Sequence, residues 1–245
     1  MTLKLVTSEG PPSVRLPIVA IDGPAGAGKS TAARLLAAQL GFKLIDTGAL
    51  YRSLALQAFD RNIPLDDGPK LAQLCQSIKI QFGTLERTHS EEGVPKVRIF
   101  CNGLDVTDAI RTPEMGLAAS NVSKLPEVRA SLLEMQRTFG REGGIVMEGR
   151  DIGTVIFPDA EIKFFLTASV ENRARRRCEE LEAAGIQVKL EQILRETQQR
   201  DEQDSTRAVA PLKQAADAQL IDSTSKSLDE VVAEMAHHVR SYLSK

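Results

Sequence analysis

The sequence predicts an α/β protein with a five-stranded parallel sheet flanked by helices. Five short apolar segments alternate with helical ones along the chain, and a glycine-rich turn and a helix directly follow the first of them. A strand, a helix and a second strand within about 30 residues form a βαβ unit, which makes the strands parallel. At 245 residues the chain lies between one and two average domains, so we expect one core that carries an insertion.

The composition excludes several classes of function. Lys and Arg total 31 against 33 Asp and Glu, and this net charge of −2 argues against a surface made for nucleic acid or anionic membrane. Three widely spaced cysteines without a CxxC pair predict neither a disulfide framework nor a zinc cluster. No apolar run approaches the roughly 20 residues that span a bilayer, and no signal-peptide core is evident. We therefore expect a monomeric cytoplasmic enzyme that binds anionic ligands at a local site.

The first elements follow in order from apolar periodicity and turn signals. Leu35, Leu36 and Leu40 share one face of the first helix, and Gly41 marks its end. The predicted elements are a flexible arm at 1–16, a strand at 17–22, a turn at 23–28, a helix at 29–40, a strand at 42–45 and a helix from 47 to about 59.

The middle of the chain has a different pattern. Short alternating segments between 78 and 106, separated by a polar turn around Glu91-Glu92-Gly93, predict a small antiparallel β insertion. Farther on, Ser227–Glu230 has the pattern of a capping box that opens the final helix. The remaining predicted elements are a helical region at about 113–139, strands at 145–148, 162–166 and 219–222, and charged helices at about 170–184 and 189–204.

The glycine-rich turn is the strongest local signal. It fits the pattern G-x-x-x-x-G-K-[ST] between a strand and a helix, where backbone N–H groups and the helix N-terminus cradle a phosphate. Lys29 is placed to reach the β- and γ-phosphates, and the Ser30 hydroxyl to ligate Mg²⁺. The residues predicted to bind the nucleotide are Gly23, Pro24, Ala25, Gly26, Ala27, Gly28, Lys29, Ser30 and Thr31.

A phosphate loop alone does not choose among GTPases, motor ATPases and small-molecule kinases. The chain has no N-K-x-D base-reading string, which a GTPase would need. The apolar run nearest to a motor ATPase pattern ends in the single acid Glu148 rather than in a pair. A small-molecule kinase that phosphorylates a phosphate would need a second anion site facing the loop.

The segment Asp46–Arg52 is the first candidate for that site. It follows the second strand, and the carboxyl ends of parallel strands line the ligand crevice. Arg52 offers a planar fork of donors that suits a phosphate. Thr47 is either a substrate contact or only the N-cap of its helix. Tyr51 is either a ligand contact or a partly buried core aromatic residue.

Two further segments contain arginines that could bind an anion. Arg150 and Asp151 follow another strand, and we favour a binding function for them over a surface ion pair because of that position. The segment Glu171–Arg177 places four arginines in two helical turns. These arginines form either a solvated face, with Arg175–Glu179 and Arg176–Glu180 pairs, or a mobile lid that closes over transferring phosphoryl groups.

Together the motifs resemble the bacterial cytidylate kinases of the nucleoside monophosphate kinase group. The resemblance runs from about residue 17 to 243, the motifs keep their order and spacing, and the β insertion at 78–106 is also a feature of that family. The segments that carry it are Gly23–Ser30, Asp46–Arg52, Gly149–Thr154, Arg173–Arg177 and Arg200–Pro211.

The resemblance implies a P-loop kinase core at 17–245, with an acceptor-binding insertion at about 47–141 and a lid at about 170–204. It implies ATP as co-substrate, Mg²⁺ as cofactor and CMP or dCMP as acceptor; UMP, another small acceptor or a nucleotide-gated binding module remains the alternative. Implied catalytic residues are Lys29, Arg150, Arg173 and Arg177. Implied acceptor contacts are Asp46, Thr47, Tyr51, Arg52, Ser120, Arg129, Arg150, Asp151, Arg200, Asp204 and Arg207.

Two positions depart from the most common family pattern. Thr47 stands where many members have Ser, which keeps the hydroxyl. Glu148 stands where Asp is also common, so it is expected at most in the outer shell of the Mg²⁺ bound by Ser30.

Overall fold

The computed structural model describes residues 15–86, 96–183 and 185–244. The predicted turn around Glu91-Glu92-Gly93 and all but the last two residues of the predicted N-terminal arm lie outside this part of the chain. A 3₁₀ turn (Ala109–Arg111) and a π-helical turn (Ile152–Ile156) accompany the regular elements. In chain order these are β1 (Ile18–Asp22), α1 (Lys29–Leu40), β2 (Lys43–Asp46), α2 (Thr47–Asp60), α3 (Gly68–Ser77), β3 (Ile80–Glu86), β4 (Lys96–Cys101), β5 (Leu104–Asp105), α4 (Pro113–Val122), α5 (Pro126–Phe139), β6 (Ile145–Glu148), β7 (Ile162–Thr167), α6 (Val170–Ala183), α7 (Leu190–Thr206), β8 (Gln219–Asp222) and α8 (Leu228–Leu243).

The main sheet has five strands in the order β2-β6-β1-β7-β8, and every neighbouring pair is parallel. This confirms the predicted fold class. All residues of β1 and β6 are buried, as expected for central strands covered by helices on both faces. Helix α1 packs against β6 and the C-terminal helix α8, so the helix that follows the glycine-rich turn is fixed firmly to the core.

Three strands end together at the carboxyl edge of the sheet. In the register of the strands, Glu148 of β6 lies beside both Asp46 of β2 and Ile21 of β1. Asp22, the last residue of β1, therefore lies at the same edge as Asp46 and Glu148. Buried or half-buried acids thus meet where the glycine-rich turn leaves β1.

The insertion differs from the prediction in three ways. The β element is a three-stranded antiparallel sheet, β3-β4-β5, rather than a hairpin. Helix α3 was not predicted. The helical region at 113–139 is two helices, because Leu125 precedes Pro126 and takes an extended conformation (φ −78°, ψ 121°) that a residue before proline prefers.

No helix in the described ranges is long and apolar enough to cross a membrane.

The start of the glycine-rich turn is sterically closed. Gly23 has φ +147°, and a Cβ atom there would lie 1.9 Å from the Leu166 carbonyl oxygen of β7. The turn can therefore leave β1 at this position only without a side chain.

We predict that Gly23→Ala lowers the free energy of unfolding by about 3 kcal/mol, because backbone strain and the clash with Leu166 add together. Gly41→Ala is the matched control: its φ is +69° but no atom lies within 4 Å, so it should cost only about 1 kcal/mol. Urea unfolding of both variants measures the difference. If both variants lost the same free energy of unfolding, the clash with Leu166 would not have the effect described here.

Candidate active site

The residues of the phosphate loop are held together by a hydrogen bond from Lys29 to the backbone of the loop. Gly28 has φ +87° and precedes α1, so the first N–H groups of that helix face the loop. The Lys29 side chain is only 5% exposed, and its Nζ donates a hydrogen bond of 2.6 Å to the Pro24 carbonyl oxygen. Burial, followed by the charge of Arg150, lowers the pKa of Lys29 well below its usual value. Loop and lysine together form a preformed cradle for an anion, whose charge would favour the protonated lysine.

A small cavity adjoins this loop. It has a volume of about 20 Å³, enough for one water molecule or a small ion, and its polar lining consists of Ser30, Asp46, Glu148, Arg34 and Arg111 beside four apolar residues. Glu148 is buried, its carboxylate interacts with the Ser30 hydroxyl, and its Oε1 has no hydrogen-bond partner in the part of the chain that the structure describes. Burial and then the negative charge of Asp46 raise the pKa of Glu148. The cavity therefore provides oxygen donors with unused capacity beside the phosphate loop.

An ion-pair network faces the loop from the other side of the crevice. The buried Asp151 carboxylate pairs with Arg129 of α5 through Oδ2 and, at 3.4 Å, with Arg207 after α7 through Oδ1. Arg150 turns away from Asp151 and pairs through Nε with Asp204 of α7 at 2.9 Å. Adjacent residues of one loop thus hold two different helices, as expected for neighbours that point in opposite directions.

Two arginines of the network keep unused donors. Arg52 pairs with Asp46 at 2.7 Å, but its buried Nε has no partner among the described residues. Within the same part of the chain the buried Nε of Arg200 also has none. Burial, then the charge of Arg150 and further those of Arg52 and Arg177, lower the pKa of Arg200 to about 10. Several arginines lie close together here although burial and mutual repulsion disfavour the charged form of Arg200, and such a cluster indicates a site that binds an anion.

The charge balance of the predicted acceptor contacts supports the same conclusion. These eleven residues contain five arginines and three aspartates, so their formal charge is +2. That excess matches a phosphate dianion.

The uncharged predicted contacts are placed less uniformly. Tyr51 is buried on α2, and the Arg129 guanidinium lies 5.9 Å from the centre of its ring. Thr47 is not the N-cap of α2: Asp46 has that role and accepts from the Ala49 N–H, because the helix begins one residue earlier than that interpretation requires. The Thr47 hydroxyl instead donates to the Glu148 carbonyl oxygen at 2.7 Å and joins the ends of β2 and β6.

Ser120 lies at the border of the network. It is on α4, and its carbonyl oxygen accepts from the hydroxyl of Ser123, whose own carbonyl accepts from Arg129. Within the described residues the Ser120 hydroxyl makes no hydrogen bond to the other predicted acceptor residues.

The arginines of α6 have three different environments. Arg173 is buried and donates to the Ala25 carbonyl oxygen of the phosphate loop at 3.1 Å and to Asp201 of α7 through two nitrogens. Arg176 donates to Ser223, whose hydroxyl in turn donates to the Ala27 carbonyl oxygen. Arg173 thus binds the phosphate loop directly, and Arg176 is connected to it through Ser223.

The other two α6 arginines face solvent or the crevice. Arg177 has a side chain that is 44% exposed, and it pairs with Glu180. Arg175 donates to Asn172. The Arg175–Glu179 and Arg176–Glu180 pairs predicted for a solvated face are therefore wrong, because the side chains of this helix have nearer partners along the chain and in the core.

Three residues of the site were not predicted from the sequence. Asp201 fixes Arg173, Ser223 connects Arg176 to the phosphate loop, and Asp22 accepts hydrogen bonds from the acceptor loop. Asp22 alone had a usable signal, because an acid that directly precedes the glycine-rich turn ends its strand at the ligand edge.

A phosphate loop on a parallel sheet, with a second cationic site across the crevice, defines the class of P-loop kinases that act on a phosphorylated acceptor. The model of one such family, described as cytidylate kinase, matches residues 19–241. The chain belongs to the cytidylate kinase family.

Curated relatives agree over almost their whole length. The chain is 50% identical over 228 residues to the cytidylate kinase of Geobacter sp. (strain M21), which covers 93% of this chain and 94% of the relative. It is 51% identical over 216 residues to that of Pelotomaculum thermopropionicum, with 88% and 92% covered. The cytidylate kinase of Pseudomonas paraeruginosa is 49% identical over 223 residues, with 91% and 95% covered.

We predict that Asp151→Asn lowers the free energy of unfolding of the ligand-free protein by about 3 kcal/mol. The substitution leaves the buried guanidinium groups of Arg129 and Arg207 without their shared carboxylate. Glu180→Gln removes the exposed pair with Arg177 and is the control, for which little change is expected. If urea unfolding gave the same midpoint for both variants, the buried network would not contribute as described.

Proposed function

We infer that this protein transfers the γ-phosphoryl group of ATP to the phosphate of CMP or dCMP and forms ADP and CDP or dCDP. Membership of the cytidylate kinase family supports the reaction. The observation that carries it in this chain is the cationic acceptor site, with its excess of two positive charges, facing the phosphate loop. A phosphorylated acceptor requires such a site, and a plain ATPase does not.

The chemistry requires positioning and charge neutralisation rather than a strong base. The attacking group is an anionic oxygen of the acceptor phosphate; it bonds to the γ-phosphorus as the bond from that phosphorus to the β,γ-bridging oxygen breaks. The ADP formed takes the electron pair of that bond. Lys29 would leave the Pro24 carbonyl oxygen and donate to the β- and γ-phosphates, whose negative charge would favour its protonated form.

The acceptor site divides into a phosphate end and a nucleoside end in this proposal. Arg52, Arg150 and Arg200 lie close enough to influence one another electrostatically and would bind the acceptor phosphate. The nucleoside would replace some of the ion pairs in the network. Its base and sugar offer hydrogen-bond donors and acceptors to the side chains that bind one another in the structure. The residues assigned to the nucleoside are Thr47, Tyr51, Ser120, Arg129, Asp151, Asp204 and Arg207, with Asp204 at the sugar hydroxyls and Asp46 orienting Arg52.

We propose that 47–141 is the acceptor-binding insertion and that 170–204 closes as a lid. Helices α6 and α7 pack on each other and have a small apolar core of their own, in which Ala174, Cys178, Leu181 and Ile193 are buried. The Arg173–Asp201 pair links them at the phosphate loop. Closure would bring Arg177 toward the transferring group beside Arg173 and exclude water from the reaction.

The residues beside the phosphate loop fit Mg²⁺. A hydroxyl, a carboxylate with an unpartnered oxygen and a second acid are hard oxygen donors, which this ion prefers. Ser30 would ligate the ion directly, with Glu148 acting through water. When bound, Mg²⁺ neutralises charge on the β- and γ-phosphates.

We further propose that the protein acts as a monomer in the cytoplasm. One chain contributes both the phosphate loop and the acceptor network, so no second copy is needed to complete the site. The cysteines Cys75, Cys101 and Cys178 are free and buried, which is usual in a reducing compartment.

A coupled ADP-release assay across CMP, dCMP, UMP, AMP and shikimate tests the proposed reaction. We expect the highest kcat/KM with CMP and dCMP. Highest activity with UMP would reassign the acceptor, and ATP binding without transfer to any acceptor would indicate a binding module instead of a kinase.

We predict that Lys29→Ala lowers kcat by at least about 100-fold, because removal of one preorganised charge from a phosphoryl-transfer site has effects of that order. Circular dichroism should show an intact fold. Lys43→Ala, at an exposed lysine paired with Glu142, is the control and should keep full activity. Near-normal turnover by Lys29→Ala would contradict the assignment of the phosphate loop.

A further inference from the structure

We propose that Asp22 is a positioning residue that fixes the acceptor loop, residues 150–153, to the start of the phosphate loop. This role rests on the proposed function, because the loop carries Arg150 and Asp151. Asp22 itself would touch neither substrate. Its effect on the reaction would come from the location that it gives to those two side chains.

The contacts of Asp22 are made with backbone rather than with side chains. Its Oδ1 accepts a hydrogen bond of 2.8 Å from the Ile152 N–H, and its Oδ2 accepts one of 2.8 Å from the Gly153 N–H. The carboxylate thus binds two successive amides, one with each oxygen. Such a pair of bonds fixes both the position and the orientation of the peptide between the two residues.

The anchored amides lie directly after the residues that bind the acceptor. Ile152 opens the π-helical turn, and the Asp151 carbonyl oxygen accepts from the Val155 and Ile156 N–H groups of that turn. Asp151 is therefore held on its C-terminal side by Asp22 and by the turn together. A displacement of this peptide would move the carboxylate that pairs with Arg129 and Arg207.

The other side of Asp22 is the phosphate loop. Asp22 is the last residue of β1 and precedes Gly23, the position where no side chain fits against Leu166. The sheet backbone adds a parallel connection, since the Gly149 N–H donates to the Ile21 carbonyl oxygen at 2.9 Å. One carboxylate thus connects the rigid start of the ATP-binding loop to the loop that carries acceptor contacts.

The anchor is buried and closely packed. Asp22 is 4% exposed, and a Cβ atom on Gly153 would lie 3.1 Å from Lys163 Cδ and 3.5 Å from Asp22 Oδ2. A side chain at Gly153 would therefore press on the Lys163 stem, while its contact with the Asp22 carboxylate would be of ordinary length.

The charged groups near Asp22 are few. Lys29 approaches from the phosphate-loop side and Asp151 from the acceptor loop. Lys163 on β7 packs its stem against Gly153, but its Nζ is bound to the Pro158 carbonyl oxygen and to Asp217. No cation therefore pairs directly with Asp22, and the two amides are its hydrogen-bond donors in the described structure.

This environment makes the anchor sensitive to pH. Burial raises the pKa of Asp22 from 3.8 to about 6, against the opposing effect of the two backbone hydrogen bonds. Because folding raises this pKa, the folded protein binds the proton more tightly than the unfolded chain, so the ionised carboxylate lowers stability as the pH rises from about 4 through 6. Protonation below about pH 6 converts one acceptor oxygen into a hydroxyl and weakens one of the two amide bonds.

Steady-state kinetics of Asp22→Asn test the positioning role. The amide keeps the shape but presents an NH₂ group to one of the two N–H donors, so we expect the KM for CMP to rise at least about tenfold while the KM for ATP changes less than threefold. Asp66→Asn, at an exposed aspartate before α3, is the matched control and should leave both values unchanged. A loss of stability without a shift in acceptor KM would be the sign of a merely structural role.

A second measurement needs neither the reaction nor a folded variant. In ¹³C,¹⁵N-labelled wild-type protein without nucleotide, the amide signals of Ile152 and Gly153 should titrate together with the Asp22 carboxyl carbon, with a midpoint near pH 6. Amide signals that do not follow the Asp22 titration would overturn the anchor.

The outcomes separate the two proposals. If wild-type protein phosphorylates CMP and Asp22→Asn leaves the KM for CMP unchanged, the positioning role is wrong and the kinase function stands. If wild-type protein does not phosphorylate CMP, the proposed function is wrong, and the role of Asp22 in the reaction falls with it; the amide titration then decides only whether the anchor exists.

Discussion

Buried charge on the acceptor side of the crevice is the constraint on which the site depends. A guanidinium group removed from water needs a partner, and removing that partner costs several kcal/mol. In the structure the partners are Asp46, Asp151 and Asp204, which hold the arginines in place without neutralising all of them. Helices α5 and α7 are joined to the loop after β6 by the Arg129–Asp151 and Arg150–Asp204 pairs, so part of the architecture around the site follows from the need to hold these buried charges.

The carboxyl edge of the sheet imposes the complementary constraint. Parallel strands bring their last residues together, and here those residues are Asp22, Asp46 and Glu148. The buried Lys29 follows at the other end of the glycine-rich turn, as the first residue of α1. Burial raises the pKa values of Asp22 and Glu148 and lowers that of Lys29, so all three charged forms are less stable than they would be in water. A site organised in this way gives up some stability in order to hold charged groups close to where phosphates would bind.

The sequence predicted the central sheet well because each strand is a short apolar run between turn signals. It predicted the phosphate loop equally well, since the spacing of Gly23, Gly28 and Lys29 has a direct mechanical meaning. The break between α4 and α5 was missed although Pro126 signals it, because the apolar periodicity continues on both sides of the proline.

The finer structure of the site could not be predicted in the same way. The pairing of Arg150 with Asp204 and of Arg173 with Asp201 joins residues 54 and 28 positions apart, and only the packing of α7 decides which acid meets which base. The hydrogen bonds of Asp22 depend on the π-helical turn at Ile152–Ile156, a local geometry that has no clear residue pattern. Local signals therefore indicated the candidate site residues, and tertiary packing determined their partners.

Calorimetric titration of the ligand-free protein with CMP and with cytidine, at a fixed moderate salt concentration, tests the acceptor site most directly. If the arginines of the acceptor site bind the phosphate of CMP, CMP should bind at least about 100-fold more tightly than cytidine. Cytidine lacks the phosphate and therefore the several charge-assisted hydrogen bonds that it would accept. Equal affinity for the two ligands would contradict the claim that the positive charge in this crevice exists to hold an acceptor phosphate.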